Sequence, residues 1–271
     1  MKIGRKSFDF KNNAYIMGIL NLTPDSFSDG GRYNTLDNAL KHCEQMALEG
    51  ADLFDIGAES TRPGHIQISD EEEIERLVPV IRAVKKNFDI PVSVDTYKSA
   101  VAKAAVSEGA DLINDIWGLK YDREITRVIK EAGVPCVLMH NRGSSDYKSF
   151  LADVVSDINE SLIIAKAAGI DRDKIIIDPG VGFGKTYEHN LTIIRELDVL
   201  KIFDLPILLG TSKKSVIGLT LNIPTDERTL ATVATTVFGR MKGASIFRVH
   251  DVAENKQALL MTEAIIKNGL N

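Results

Sequence analysis

Residues that would declare a chemistry at once are scarce in this chain. It has two cysteines in 271 residues, Cys43 and Cys136, far apart and each in an apolar setting. That excludes a disulfide framework, and the expectation is two reduced core thiols in a soluble cytoplasmic protein. Aromatic residues make up 6% of the chain, the formal charge is −5, and there is no cationic block. A nucleic-acid surface is thereby excluded, because a phosphate backbone calls for a basic face. The histidines at 42, 65, 140, 189 and 250 share no metal-ligand spacing with one another or with cysteine. No apolar stretch reaches transmembrane length, and MKIGRKSFDF at the start has no hydrophobic signal core, so no membrane partner is expected. Nor is there a Ser/His/Asp or Cys/His arrangement that would activate a nucleophile.

What the chain does have is rhythm. Residues 2–13 alternate weakly through Phe8 and Phe10 and predict a short N-terminal hairpin. Short apolar runs then recur at 15–20, 52–56, 91–95, 111–114, 134–139, 174–178, 206–210 and 245–249. Between them lie segments of helical period. Leu36, Ala39, Leu40, Cys43, Met46 and Ala47 form one apolar stripe, closed by Gly50. Ser69-Asp70-Glu71-Glu72 opens the next helix as a capping box, and Pro79 within it predicts a kink. Further helices are predicted at about 98–108, 122–132, 150–168, 190–201, 226–242 and 252–268. Eight strand–helix units without a linker predict an α/β fold of the (β/α)8 TIM-barrel type, a single domain over 1–271. A doubly wound open sheet is the alternative, and the number of strands argues against it. An internal echo supports the barrel: EGADLFD (49–55), EGADLIN (108–114) and, more faintly, KGASIFR (242–248). Each runs from a helix-ending glycine into a strand and delivers one polar residue (Asp55, Asn114 or Arg248) to the same end.

The stretch IIIDPGVGFGK (175–185) is the most informative segment. A buried strand ends in the carboxylate of Asp178, followed by a turn that Pro179 stiffens and three glycines leave bare. A carboxylate there can accept two parallel hydrogen bonds from the guanidine-like edge of a heterocycle. Ordinary turn chemistry explains this stretch equally well taken alone, and the spacing to Lys185 is one residue short of a Walker A loop. The other strand ends tip the balance. They carry Asn21, Asp55, Asp95, Asn114 with Asp115, His140 with Asn141, Ser212 to Ser215, and Arg248 with His250. A barrel binds ligands at that mouth, and so many polar groups there would be costly without one. Asp95, Asn114 and Asp178 suit a neutral, donor-rich ring. Asn21, Arg248 and His250 suit an anion, as do the amides of a short helical segment from about Ser215, preceded by Lys213 and Lys214. Two long polar loops, LTPDSFSDGG (22–31) and ESTRPG (59–64), would lie over the mouth.

Taken together, NLTPDSFSDGG (21–31), ESTRPG (59–64), SVDT (93–96), Asn114-Asp115, DPGVGFGK (178–185), SKKS (212–215) and RVHD (248–251) resemble the dihydropteroate synthase family. The match runs in order through essentially the whole chain. It implies condensation of 6-hydroxymethyl-7,8-dihydropterin diphosphate with p-aminobenzoate, giving dihydropteroate and diphosphate in folate biosynthesis, with Mg2+. It further implies that Asp95, Asn114, Asp178 and Lys214 bond the pterin, with Arg248 against its ring. Asn21, Arg248 and His250 would take the diphosphate, Asn21 also binding the metal. Thr61, Pro63, Phe183, Lys214 and the Ser215 amide would shape the p-aminobenzoate site. Asp29 and Arg62 would close over the reaction, with Lys214 counted beside them as catalytic. The family is typically dimeric and a sulfonamide target. One departure is Lys213, where the family usually has arginine; this touches only a supporting contact.

The implied mechanism is a dissociative substitution, in which positioning and electrostatics supply most of the acceleration. A pterin-binding methyltransferase that serves a corrinoid protein is the nearest rival, but it needs neither a diphosphate pocket nor the two loop motifs. A non-catalytic ligand-binding barrel is the reading from a different class. Fusion to the preceding pyrophosphokinase is not expected, since the barrel accounts for the length.

Overall fold

The computed structural model describes residues 1–22, 32–60 and 67–268. Every apolar run of the sequence becomes a strand. After a small antiparallel hairpin of β1 (Lys2–Ile3) and β2 (Lys6–Ser7) come eight parallel strands. These are β3 (Tyr15–Asn21), β4 (Leu53–Gly57), β5 (Val92–Asp95), β6 (Leu112–Asp115), β7 (Cys136–Met139), β8 (Ile175–Asp178), β9 (Leu208–Leu209) and β10 (Ile246–Val249). They pair in the order β8-β7-β6-β5-β4-β3-β10-β9, and a parallel bridge from Ile177 to Ile207 closes the ring. The chain is therefore a (β/α)8 barrel, and the doubly wound alternative falls. Most strand residues are buried because the ring of helices covers the outer face and side chains fill the inside.

The covering helices are α1 (Arg32–Leu48), α2 (Asp70–Asn87), α3 (Ser99–Ser107), α4 (Ile125–Ala132), α5 (Phe150–Ala167), α6 (Tyr187–Arg195), α7 (Ser215–Leu221), α8 (Thr229–Lys242) and α9 (Val252–Lys267). Ser69 caps α2 by accepting from the Glu72 amide at 3.2 Å, and the helix continues through Pro79. The expected helix over 190–201 is instead two pieces. Thr186 caps α6 three residues early, with His189 returning the bond, and the chain tightens into a 3-10 run over Leu197–Phe203. Local capping chemistry thus outweighed the apolar period that suggested one longer helix. Among the described residues no helix is long and apolar enough to cross a membrane.

The hairpin has a clear job. Ile3 and Phe8 pack with Met17, Leu53, Leu112, Val137, Ile176, Leu208 and Ile246, side chains of seven different strands. This layer seals the floor of the barrel at the hairpin end.

A buried ionic cluster joins α2 and α3 to the chain on either side of the 61–66 segment. The Lys98 ammonium lies 2.6 Å from Glu59 and 2.8 Å from Glu73, with all three side chains at most 4% exposed. Lys98 also donates to the Ile68 carbonyl at 2.8 Å, while Glu59 accepts from the Ile68 amide at 3.1 Å. Glu59 and Ile68 are thereby held against each other through one cation. Lys98→Met would leave two buried carboxylates without it, at a cost of about 3–5 kcal/mol. For a chain of this size that is a fall in Tm on the order of 10 °C. Thermal denaturation at neutral pH should show it, and the deficit should shrink toward pH 5 as the stranded glutamates take up protons.

Candidate active site

Strand period two builds the mouth. In β4, β6, β8 and β10 the inward positions Leu53, Leu112, Ile176 and Ile246 belong to the floor. Two residues further along each strand, on the same face, stand Asp55, Asn114, Asp178 and Arg248. The apolar layer therefore carries a polar layer directly above it.

The three polar residues of the sequence echo meet there. Arg248 Nε donates to Asp55 Oδ2 at 2.5 Å, and Asn114 Nδ2 approaches the same oxygen at 3.4 Å. Ser93 Oγ donates to Asp55 Oδ1 at 2.5 Å. Asp55 is wholly buried, so its charge depends on these partners. The second arm of Arg248 donates to Asp95 Oδ2 at 2.8 Å. Asp95 Oδ1 is buried and, among the described residues, has no hydrogen-bond partner. A buried acceptor left open in a polar layer can take an N–H group from a ligand or the hydrogen of a water. Burial pushes the Asp95 carboxyl up to about 7, against the pull of Arg248. Burial raises Asp178 as well, with Lys214 opposing.

The turn after β8 is pressed against β7. Gly180 has φ +67°, and a Cβ there would fall 1.9 Å from the His140 carbonyl oxygen, so no other residue fits. Its amide donates to Asp178 Oδ1 at 2.7 Å. Lys214, from the β9–α7 connection, donates through Nζ to the Val181 carbonyl and lies 4.9 Å over the Phe183 ring. Burial lowers the Lys214 ammonium to about 8, while Asp178 holds it up. On the other side of the turn, Lys185 Nζ reaches His140 Nδ1 at 2.7 Å and the Gly180 and Phe183 carbonyls at 2.9 and 3.0 Å. Burial pulls Lys185 down to about 7, and Asp178 again opposes.

The remaining sequence candidates stand apart from this centre. Half-buried Asn21 ends β3, opposite Gly57 of β4. His250 Nδ1 lies 2.9 Å from Ser212 Oγ, joining the ends of β9 and β10. Ser215 is exposed at the first position of α7. Lys213 turns away to pair with Asp251 at 2.8 Å. Asp29, Thr61, Arg62 and Pro63 lie outside the described residues. Asp55, Ser93, His140 and Lys185 carry much of the mouth's geometry, yet sequence reasoning gave them no role; for Asp55 the internal echo was the available signal. Two open clefts, of about 340 and 610 Å³, lie elsewhere: one beside Arg5, Lys86 and Asp89, the other beside Arg142, Tyr147 and His189.

A barrel with a sealed floor, whose mouth offers an orphan carboxylate oxygen, a second buried carboxylate and two cations, has the polar lining of a small-molecule site. Comparison with known proteins fits that class: residues 17–250 match the pterin binding enzyme family. The chain belongs, more narrowly, to the dihydropteroate synthases. It is 55% identical to the dihydropteroate synthase of Clostridium beijerinckii over 98% of this chain and all of the relative. It superimposes with a TM-score of 0.94 on the Clostridium difficile enzyme crystallised with pteroic acid, at 46% identity, covering 97% of this chain and 100% of that one. The Yersinia pestis enzyme in complex with a sulfonamide drug gives a TM-score of 0.92 at 41% identity, covering 98% of each chain.

The state of Asp95 gives the mouth a pH signature. Donors on a ligand that reach Oδ1 favour the carboxylate, so binding lowers a carboxyl pKa that burial had raised to about 7. Binding should therefore release a proton near neutrality, and affinity should fall as the pH drops below about 7. Calorimetry of a phosphate-free pterin in buffers of different protonation enthalpy should register the release, and Asp95→Asn should abolish it.

Proposed function

We propose that this chain condenses 6-hydroxymethyl-7,8-dihydropterin diphosphate with p-aminobenzoate to give 7,8-dihydropteroate and diphosphate, with the barrel and its hairpin acting as one domain over 1–271. The observation that carries the reading is the orphan Oδ1 of Asp95 in the same polar layer as Asn114, Asp178 and Lys214. The pterin ring brings the N–H donors such oxygens lack. Asp95 and Asp178 accept from its edge, Asn114 and Lys214 meet its oxygen and nitrogen atoms, and Arg248 lies against its face. Arg248 suits that place because Asp55 and Asp95 outweigh the cost of its burial and keep the guanidinium charged.

The bond that breaks joins the pterin methylene carbon to the diphosphate oxygen, which leaves with the electron pair. Arg248, His250 and Asn21 face that departing charge. The electron-rich ring stabilises the methylene cation, and the arylamine nitrogen then donates its lone pair to form the C–N bond and afterwards sheds a proton. Phe183, Thr61, Pro63, Lys214 and the Ser215 amide form the arylamine's surroundings, while Asp29 and Arg62 complete the site from the two loops. Electrostatic stabilisation and positioning suffice for such a step, with no covalent intermediate. Mg2+ suits this donor set as a guest of the diphosphate. Among the described residues no group of three His, Cys, Asp or Glu side chains is placed to hold an ion, and Mg2+ takes one or two protein oxygens beside substrate phosphates and water. Asn21 would supply such an oxygen, and the bound ion would offset the charge of the leaving group. Cys43 and Cys136, both buried free thiols, suit a cytoplasmic location.

A homodimer is the assembly the surface supports. On α8 the side chains of Leu230, Ala234, Phe238 and Met241 are exposed at helical spacing, and on the adjoining α9 so are Leu260, Met261, Ala264 and Ile265. Between the same helices polar groups are buried, with Thr236 donating to Asn255 at 2.7 Å and Arg240 paired with Glu263 at 2.5 Å. Apolar stripes turned outward on two packed helices form the kind of patch that a second copy covers.

Two measurements test these readings. Diphosphate release from the pterin diphosphate should depend on p-aminobenzoate, and a sulfonamide should raise the KM for p-aminobenzoate without lowering kcat. No dihydropteroate formed when both substrates are present would overturn the condensation. Sedimentation of wild type should give twice the chain mass, and Met241→Glu with Leu260→Glu should give a folded monomer.

A further inference from the structure

Behind the 179–185 turn sits a cation with no part in the chemistry above. Lys185 directs Nζ inward, where it meets three acceptors: His140 Nδ1 at 2.7 Å, the Gly180 carbonyl at 2.9 Å and the Phe183 carbonyl at 3.0 Å. An ammonium has three N–H donors and no acceptor, so the set is matched in number and polarity. Two of the acceptors are backbone atoms three residues apart on the turn, and one cation therefore pins both ends of the segment 180–183. Lys214 fastens the middle of that segment from the opposite side, at the Val181 carbonyl.

The support behind Lys185 is rigid. His140 Nε2 lies 3.0 Å from Asp157 Oδ2 on α5, so the proton belongs on Nε2 and the lone pair of Nδ1 points at Lys185. Burial and the neighbouring ammonium hold His140 well below its usual pKa, which keeps the ring neutral. Arg142 Nε binds the same Asp157 oxygen at 2.5 Å and fixes the carboxylate in turn. A chain of contacts thus runs from α5 through Asp157 and His140 to Lys185, and from Lys185 to the turn.

The segment needs such an anchor. Gly180, Gly182 and Gly184 all adopt positive φ, and residues of this freedom lose much conformational entropy when they are ordered. Phe183 rides between them, half-buried, with Lys214 over its ring. We propose that Lys185 is a positioning residue for the arylamine substrate: it locks the 180–183 turn so that the Phe183 ring stands where p-aminobenzoate packs. Lys185 acts through backbone carbonyls, without touching the substrate. The inference rests on the function proposed above.

The test compares Lys185→Met, which has no donor, with Lys185→Gln, which keeps two. In steady-state kinetics Lys185→Met should raise the KM for p-aminobenzoate about tenfold while kcat changes less than about threefold. Calorimetric affinity for the pterin diphosphate should stay within about twofold of wild type, and Lys185→Gln should recover part of the loss. In a Phe183→Ala background, Lys185→Met should add less than about twofold, because both substitutions remove one contact. Calorimetry with pteroic acid, which needs no turnover, should show the same pattern and keeps the outcome independent of the assigned reaction. Absent turnover by wild type would overturn the reaction and leave the pteroic acid pattern to decide the role of Lys185. Unchanged p-aminobenzoate KM, equal losses for both substrates, or independent effects of Lys185→Met and Phe183→Ala would overturn it.

Discussion

The ion pair between Arg248 and Asp55 fixes the geometry of the mouth. A carboxylate without solvent access cannot keep its charge unless a cation and hydrogen-bond donors surround it, and Asp55 has Arg248, Ser93 and Asn114. The planar guanidinium has a second arm, which the first contact aims at Asp95. That arm occupies one oxygen of Asp95 and leaves the other free to receive a ligand. The orphan acceptor is therefore a by-product of neutralising Asp55. Removing either member of the pair would strand a buried charge and release the groups bonded to it, Asp95 on one side and Ser93 and Asn114 on the other. Asp55 thus contributes by holding its neighbours.

Rigid and soft parts of the mouth are held by different means. Residues on strands inherit their positions from ladder hydrogen bonds, as Asp95 and Asn114 do by lying opposite each other in β5 and β6. The turn after Asp178 has no ladder. It is shaped by glycines pressed against β7, such as Gly180 beneath the His140 carbonyl, and by ammonium groups that collect its carbonyl oxygens. Backbone freedom lets the chain come close to its neighbours, and side-chain cations then remove that freedom.

The fold was legible because parallel strands buried on both faces read as continuous apolar runs, and all eight runs became strands. The polar layer was legible too, since the echo ending in Asp55, Asn114 and Arg248 marks one structural unit used three times. What the residues did not disclose was who neutralises whom. Asp55 and Arg248 are 193 residues apart, and nothing local in either segment announces the pair. Lys185 was hidden for a related reason: beside a glycine-rich turn it invites comparison with phosphate-binding lysines, whereas its acceptors are carbonyls and a histidine. The early start of α6 came from a reciprocal Thr186–His189 cap, which apolar periodicity cannot show. Residues 23–31 and 61–66, which carry Asp29, Thr61, Arg62 and Pro63, lie outside the described structure, so their roles rest on the family resemblance.

The joint between β8 and β9 gives the barrel a mechanical weak point. β9 is only two residues long, and its link to β8 is one bridge, with the Ile177 amide reaching the Pro206 carbonyl at 3.0 Å. Other neighbouring strands share up to five paired positions. Across this thin joint Lys214 ties the loop after β9 to the turn after β8, so a side chain does the fastening that a ladder does elsewhere. A molecule gripped by Asp178 and Lys214 together would add a second clasp over the same joint. Amide hydrogen exchange along Ile207–Leu209 is accordingly where the barrel should breathe most when empty and quieten most when filled.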